Sequence, residues 1–262
     1  MKTISGVFRS QVDAERAATV LRSTGVPSDK IILLTPGNIQ QELESLPVVA
    51  GEQPGMGKAI GAVLGTAVGM SGAPLLAAFI PGVGVVTAVG LLGAAVLSAA
   101  GAAVGAVAGA KLENATAAGL PEDEIFVYED ALRKGRSVLI VMTEQENRAR
   151  HLRELLSTEG AESIDAAREQ WWIGLRSAEQ EHYSTRNRNF TEDEKFYRLG
   201  FEAALHARTR CKEYDQVMGE MTATLEDVQR QYPNANVAEP FTRGYERGRD
   251  YYQGLCNQSE AA

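Results

Sequence analysis

Three patterns of apolar and polar positions follow one another along this chain. In the first, residues 3–8 (Thr-Ile-Ser-Gly-Val-Phe) read as a short strand. From Ser10 or Asp13 to Thr24 the apolar positions Val12, Ala17, Val20 and Leu21 recur at helical spacing, and Gly25 is a natural stop. Val26-Pro27-Ser28-Asp29 turns the chain into residues 30–35, a second and largely buried strand. Residues 36–56 form a polar connector that carries proline and has room for a short helix around Ile39–Leu46.

The pattern then changes. Between Lys58 and Lys111 stand 52 residues without one Asp, Glu, Lys, Arg or His. Gly57, Gly61, Gly65 and Gly69 fall every fourth residue, as do Gly101, Gly105 and Gly109. On a helix each series shares one face and forms a groove that a second backbone can enter closely. Ile80-Pro81-Gly82-Val83-Gly84 breaks the run, since proline removes a donor and glycine permits a sharp turn. The expectation is a helical hairpin with arms 57–79 and 85–110 and a turn at Pro81, Gly82 and Gly84. About 20 apolar residues at 1.5 Å each cover roughly 30 Å of hydrocarbon, so both arms are long enough to cross a bilayer. Alanine and glycine are weakly apolar, however, and Pro74 interrupts the first arm. A tightly packed core of a soluble oligomer is the alternative environment.

Past the run, Leu120-Pro121-Glu122-Asp123-Glu124 opens a helix with proline and acids in its first turn. That helix turns Ile125, Tyr128 and Leu132 inward and stops at Gly135. Residues 137–142 are the strongest strand in the chain; Glu144 to Ser157 is another helix, and 162–165 a short last strand. Residues 1–35 and 120–165 thus give β-α-β twice. The expected fold class is α+β: a ferredoxin-like split β-α-β domain (1–50 and 112–165), interrupted by the Gly/Ala-rich hairpin (51–111). An all-α region (166–262) follows, with helices near 166–183, 192–213, 215–231 and 238–255. Within it, residues 196–202 (Phe-Tyr-Arg-Leu-Gly-Phe-Glu) and 241–246 (Phe-Thr-Arg-Gly-Tyr-Glu) form a weak repeat. A helix-pair repeat would bury each Gly-aromatic step against its counterpart.

The strand opening, the Gly-Val-Pro turn before Ile31, the Ile-Pro-Gly-Val-Gly break and Gly119–Glu124, followed by Tyr128-Glu129 and Gly135-Arg136, form one ordered series. Over residues 1–165 the chain resembles the bacterial general-stress or low-temperature-induced protein family with a glycine-zipper segment. The resemblance implies association with stress responses and a non-enzymatic role. It assigns no chemistry to single residues.

Charge narrows the classes of partner. With 26 basic and 34 acidic residues the formal net charge is −8, so nucleic acid has no electrostatic footprint to follow. Residues 1–4 lead into a strand without an apolar leader, and two cysteines, Cys211 and Cys256, make no disulfide framework. Lys58 and Lys111 flank the apolar run on the side expected to be cytoplasmic. The expected location is the inner membrane with cytoplasmic domains, or alternatively the cytoplasm.

Candidate chemistry is sparse. Glu179-x-x-His182 and Glu202 with His206 each put a carboxylate and an imidazole on one helix face, but a di-iron bundle needs two copies at the i,i+3 spacing. Both pairs stand among charges expected to be solvated, so no metal site is assigned. His151 lies beside Arg148, Arg150 and Arg153, which reads as a solvated basic face. Gly55-x-Gly57-x-x-x-Gly61 lacks the Lys-Ser/Thr of a phosphate loop. The chain is therefore expected to be no enzyme, with no catalytic residue and no cofactor. Its partners would be a membrane and further copies of itself, packed through Gly57, Gly61, Gly65, Gly69, Gly101, Gly105 and Gly109. Residues 166–262 would offer a surface to a protein partner. The alternative is a soluble oligomeric ligand-sensing module whose hairpin forms the oligomer core.

Overall fold

The computed structural model describes residues 2–36, 64–68, 74–80, 84–89, 121, 123–184, 189–206, 209–210 and 212–260. The fold is mixed α+β and falls into two compact units, residues 1–121 with 127–167 and residues 122–126 with 168–262.

The first unit is built on an antiparallel sheet. Strand β1 (Lys2–Phe8) leads to helix α1 (Gln11–Ser23), whose N-cap Ser10 accepts a hydrogen bond from the Asp13 amide. Gly25 stops the helix at φ +82°, a conformation open to glycine. Strand β2 (Ile31–Pro36) follows. After strands β3 (Leu64–Val68), β4 (Pro74–Ile80) and β5 (Gly84–Val89) come helix α2 (Ile125–Arg133) and strand β6 (Ser137–Thr143). Helix α3 (Glu146–Thr158) and strand β7 (Glu162–Ser163) complete the unit. The strand order is β3-β4-β5-β2-β6-β1-β7. Its well-packed centre is β2-β6-β1-β7, where β6 pairs antiparallel with β1 and β2 at once (Ile4↔Val141↔Ile31).

Alternation along the strands sorts the side chains by face. Ile4, Phe8, Ile31, Leu33, Leu139 and Val141 point toward α1 and α3, and close on Ala14, Ala17, Ala18, Leu21, Ala149, Leu152 and Leu156. Val7, Ile32, Leu34, Val138, Ile140 and Met142 point the other way and are buried as well. On that second face the Ser5 and Tyr128 hydroxyls lie 2.7 Å apart in a hydrogen bond. With both faces covered, these strands read as near-continuous apolar runs, which is why β6 is the strongest strand signal in the chain.

The second unit is helical. It takes residues 168–184 of helix α4 (Ile164–Ser184), with helices α5 (Phe190–Leu205), α6 (Tyr214–Gln231) and α7 (Ala238–Glu260). Its centre is aromatic: Phe126, Trp171, Trp172, Tyr183, Phe190, Tyr197 and Phe201 form a chain of tilted and edge-on pairs with centroids 4.8–6.4 Å apart. Each such pair adds about 0.5–1.5 kcal/mol beyond area burial.

Three sequence expectations need correction. The first is the helical hairpin. Where the uncharged run is described it is strand, in β3, β4 and β5, and β5 pairs antiparallel with β2 (Leu33↔Val89 to Pro36↔Val86). Val85, Val86 and Val89 are β-branched, and Pro74 opens β4 at its first residue, where proline is tolerated in a sheet. The fourfold glycine spacing competed with these local preferences. Gly65 lies within β3 and Gly84 opens β5. Gly57, Gly61, Gly69, Gly101, Gly105, Gly109, Pro81 and Gly82 lie outside the described residues. Among those described, no helix is long and apolar enough to cross a membrane. The second correction is the last strand, which ends at Ser163 because Ile164 and Asp165 already belong to α4. The third is the helix near 192–213, which stops at Leu205 with His206 as its extended C-cap.

Candidate functional site

The repeated motif of the helical unit is its tightest contact. A Cβ on Gly200 would stand 2.7 Å from the Phe241 carbonyl carbon and 2.9 Å from the Tyr245 nitrogen. One on Gly244 would stand 2.8 Å from the Tyr197 carbonyl carbon and 3.0 Å from the Phe201 nitrogen. Tyr197, Gly200 and Phe201 of α5 therefore meet Phe241, Gly244 and Tyr245 of α7 reciprocally, as the repeat predicted. One turn on, Gly248 faces Phe201 and Ala204, so the contacts advance in the same direction on both helices and the two run parallel. Gly200-x-x-x-Ala204 against Gly244-x-x-x-Gly248 is a small-residue crossing of the kind sought in the uncharged run. The crossing stands not where glycines are most numerous but where Gly200 and Gly244 are each followed by an aromatic residue, Phe201 and Tyr245.

Buried charge surrounds this crossing. Glu179 is 1% exposed and accepts 3.0 Å hydrogen bonds from Arg247 Nε and Nη2 and a 2.7 Å bond from the Tyr197 hydroxyl. Burial, and then the Glu179 carboxylate, push the Tyr197 hydroxyl pKa up, so it stays a donor at any physiological pH. Glu202, 7% exposed, accepts from Arg198 Nε at 2.6 Å and pairs with Arg168 at 3.5 Å. Arg168 in turn donates to the Asp123 carbonyl at 3.0 Å and its carboxylate at 3.1 Å. Glu194 takes two 2.7 Å bonds from Arg176 and one of 2.9 Å from the Trp172 indole, and the Arg176 bond leads the causes that lower its pKa.

These partners settle what the sequence pairs can do. Glu179 and His182 do not share an environment: the carboxylate is buried and saturated by Arg247 and Tyr197, while His182 is exposed. The expectation that both carboxylates stand among solvated charges is thus corrected, because Glu179 and Glu202 are among the most buried polar groups of the unit. Among the described residues no cluster of three His, Cys, Asp or Glu could hold a metal ion. His206 has its pKa lowered to about 4, chiefly by burial, with Arg168 and Arg210 adding to the effect and Asp123 opposing it. The side chains of Cys211 and Cys256 lie outside the description.

In the first unit, Arg148 is structural rather than free, donating at 2.8 Å to the Gly25 carbonyl at the end of α1, and His151 is exposed. Both faces of β2 and β6 are buried, whereas Thr3 and Ser5 on the second face of β1 are half-buried. No known protein family, curated protein or solved structure matches the chain.

Proposed function

We propose that this is a non-enzymatic, stress-associated protein that self-assembles through its uncharged segment. The observation that carries the reading is the run of 52 residues without a charged or titratable side chain between Lys58 and Lys111, whose strand β5 hydrogen-bonds to β2 of the α+β unit. A segment so free of charge gains from a neighbour that excludes water. The β4–β5 pairing favours protein over lipid as that neighbour. Seven residues of strand extend about 23 Å, short of a hydrocarbon layer of roughly 30 Å. The same reading takes the first unit as a ferredoxin-like split β-α-β domain: β2-β6-β1-β7, with α1 and α3 on one face, is the order such a domain requires. The stress association rests on the resemblance over residues 1–165.

Light scattering on the purified full-length chain, with and without detergent, tests the reading. An oligomer in plain buffer that is reduced to smaller species by Ala77→Lys or Ala88→Lys supports it. A monomer in plain buffer, or recovery only in detergent from a carbonate-resistant membrane fraction, refutes it, and the second result gives the segment to the bilayer.

A further inference from the structure

Arg247 is held in one orientation by groups that are themselves buried. Its Nε and Nη2 are committed to the Glu179 carboxylate, which the Tyr197 hydroxyl fixes from the other side. Its side chain is still 31% exposed, and its Nη1 hydrogens are left over after those two bonds. Arg247 lines a cleft of about 140 Å³ together with His182, Tyr183, Tyr197, Arg243, Glu246 and Asp250. The positive charges here are already balanced, Arg247 by Glu179 and Arg243 by a 2.8 Å hydrogen bond to Glu239. Glu246 and Asp250 are exposed one helical turn apart on α7, and among the described residues the ion pair recorded for either is a long 3.4 Å contact from Arg249 to Asp250. The cleft thus offers a pinned N–H donor and, beside it, the exposed carboxylates of Glu246 and Asp250.

We propose that this cleft binds a small zwitterion of the α-amino-acid class. The ligand carboxylate accepts from Arg247 Nη1, and its ammonium group lies between the Glu246 and Asp250 carboxylates. A simple anion would meet the Glu246 and Asp250 carboxylates, and a simple cation would leave the Arg247 donor unused, so one ligand carrying both charges fits best. Size agrees, since a cavity of about 150 Å³ holds a six-membered ring and alanine has as many non-hydrogen atoms. The donor is preorganised because moving Arg247 would strand a buried carboxylate. The site lies wholly within the helical unit and does not depend on the assembly of the uncharged segment.

The test is an NMR titration of the full-length protein with L-alanine, run beside acetate and methylammonium chloride at equal concentrations. The expected result is saturable perturbation of the Glu246 and Arg247 signals by L-alanine, with each single-charge probe at least tenfold weaker. Glu246→Gln, whose side chain is exposed, is expected to fold normally and to weaken L-alanine binding about tenfold, or 1.4 kcal/mol. Absence of saturable perturbation, equal effects of acetate or methylammonium, or unchanged affinity in a folded Glu246→Gln variant would each overturn the proposal.

Discussion

Gly200 and Gly244 each occupy the place where the other's helix passes too closely for a side chain. The relation is reciprocal: Gly200 lies against Phe241 and Tyr245, and Gly244 against Tyr197 and Phe201.

Alanine at either position therefore forces the two backbones apart. Gly200→Ala and Gly244→Ala are each expected to destabilise the helical unit by about 1–3 kcal/mol, the usual range for overpacking. Gly174→Ala in α4 and Gly219→Ala in α6, where an added Cβ meets nothing within 4 Å, are expected to stabilise by about 0.5–1 kcal/mol. Urea denaturation of the four variants checks the contrast. Equal effects at all four positions would remove the crossing from its central place.

Breaking the buried pair should cost more than removing it. Arg247→Leu strands the Glu179 carboxylate, 1% exposed, and is expected to destabilise by about 3–5 kcal/mol. Glu179→Leu combined with Arg247→Leu is expected to recover most of that loss, because no charge is then left unpaired. A double-mutant cycle on unfolding free energy measures the difference. Additive losses would mean that Arg247 does not depend on Glu179.

His206 predicts a pH dependence of definite sign. Folding depresses its pKa from 6.5 to about 4, so the unfolded chain binds a proton that the folded chain refuses. Stability contributed by the neutral imidazole is fully present above about pH 6.5 and is lost as pH falls toward 4. Asp123 limits the loss, while Arg168 and Arg210 deepen it. The expected loss from this group is on the order of 2–3 kcal/mol across the window. His206→Asn, compared with the parent at pH 6.5 and pH 4.5, should remove about that much of the pH dependence. A variant as acid-sensitive as the parent would contradict the assignment.

Much of the first unit was legible in the sequence because its signals are local. Ser10 caps α1, Gly25 and Gly135 take positive φ at the ends of α1 and α2, and β6 is a run of apolar residues buried on both faces. The Gly-aromatic repeat was legible too, since one motif occurs twice and the copies face each other. The buried carboxylates were not. Glu179 and Glu202 sit in charged surroundings along the chain, and only the packing of α4, α5 and α7 delivers Arg247, Tyr197, Arg198 and Arg168 to them. The uncharged run misled for a related reason. A spacing of four allows helical packing without requiring it, and the valines of β5 carry a strand preference that the glycine count obscured.

The proposed self-assembly depends most on the uncharged segment being kept from water. Amide hydrogen exchange on the full-length protein measures this directly, by comparing residues 74–89 with β6. The predicted result is protection of 74–89 approaching that of Ser137–Thr143, and its loss in the assembly-breaking Ala77→Lys variant. Exchange of residues 74–89 at the rate of an unstructured peptide in the parent protein would contradict the account.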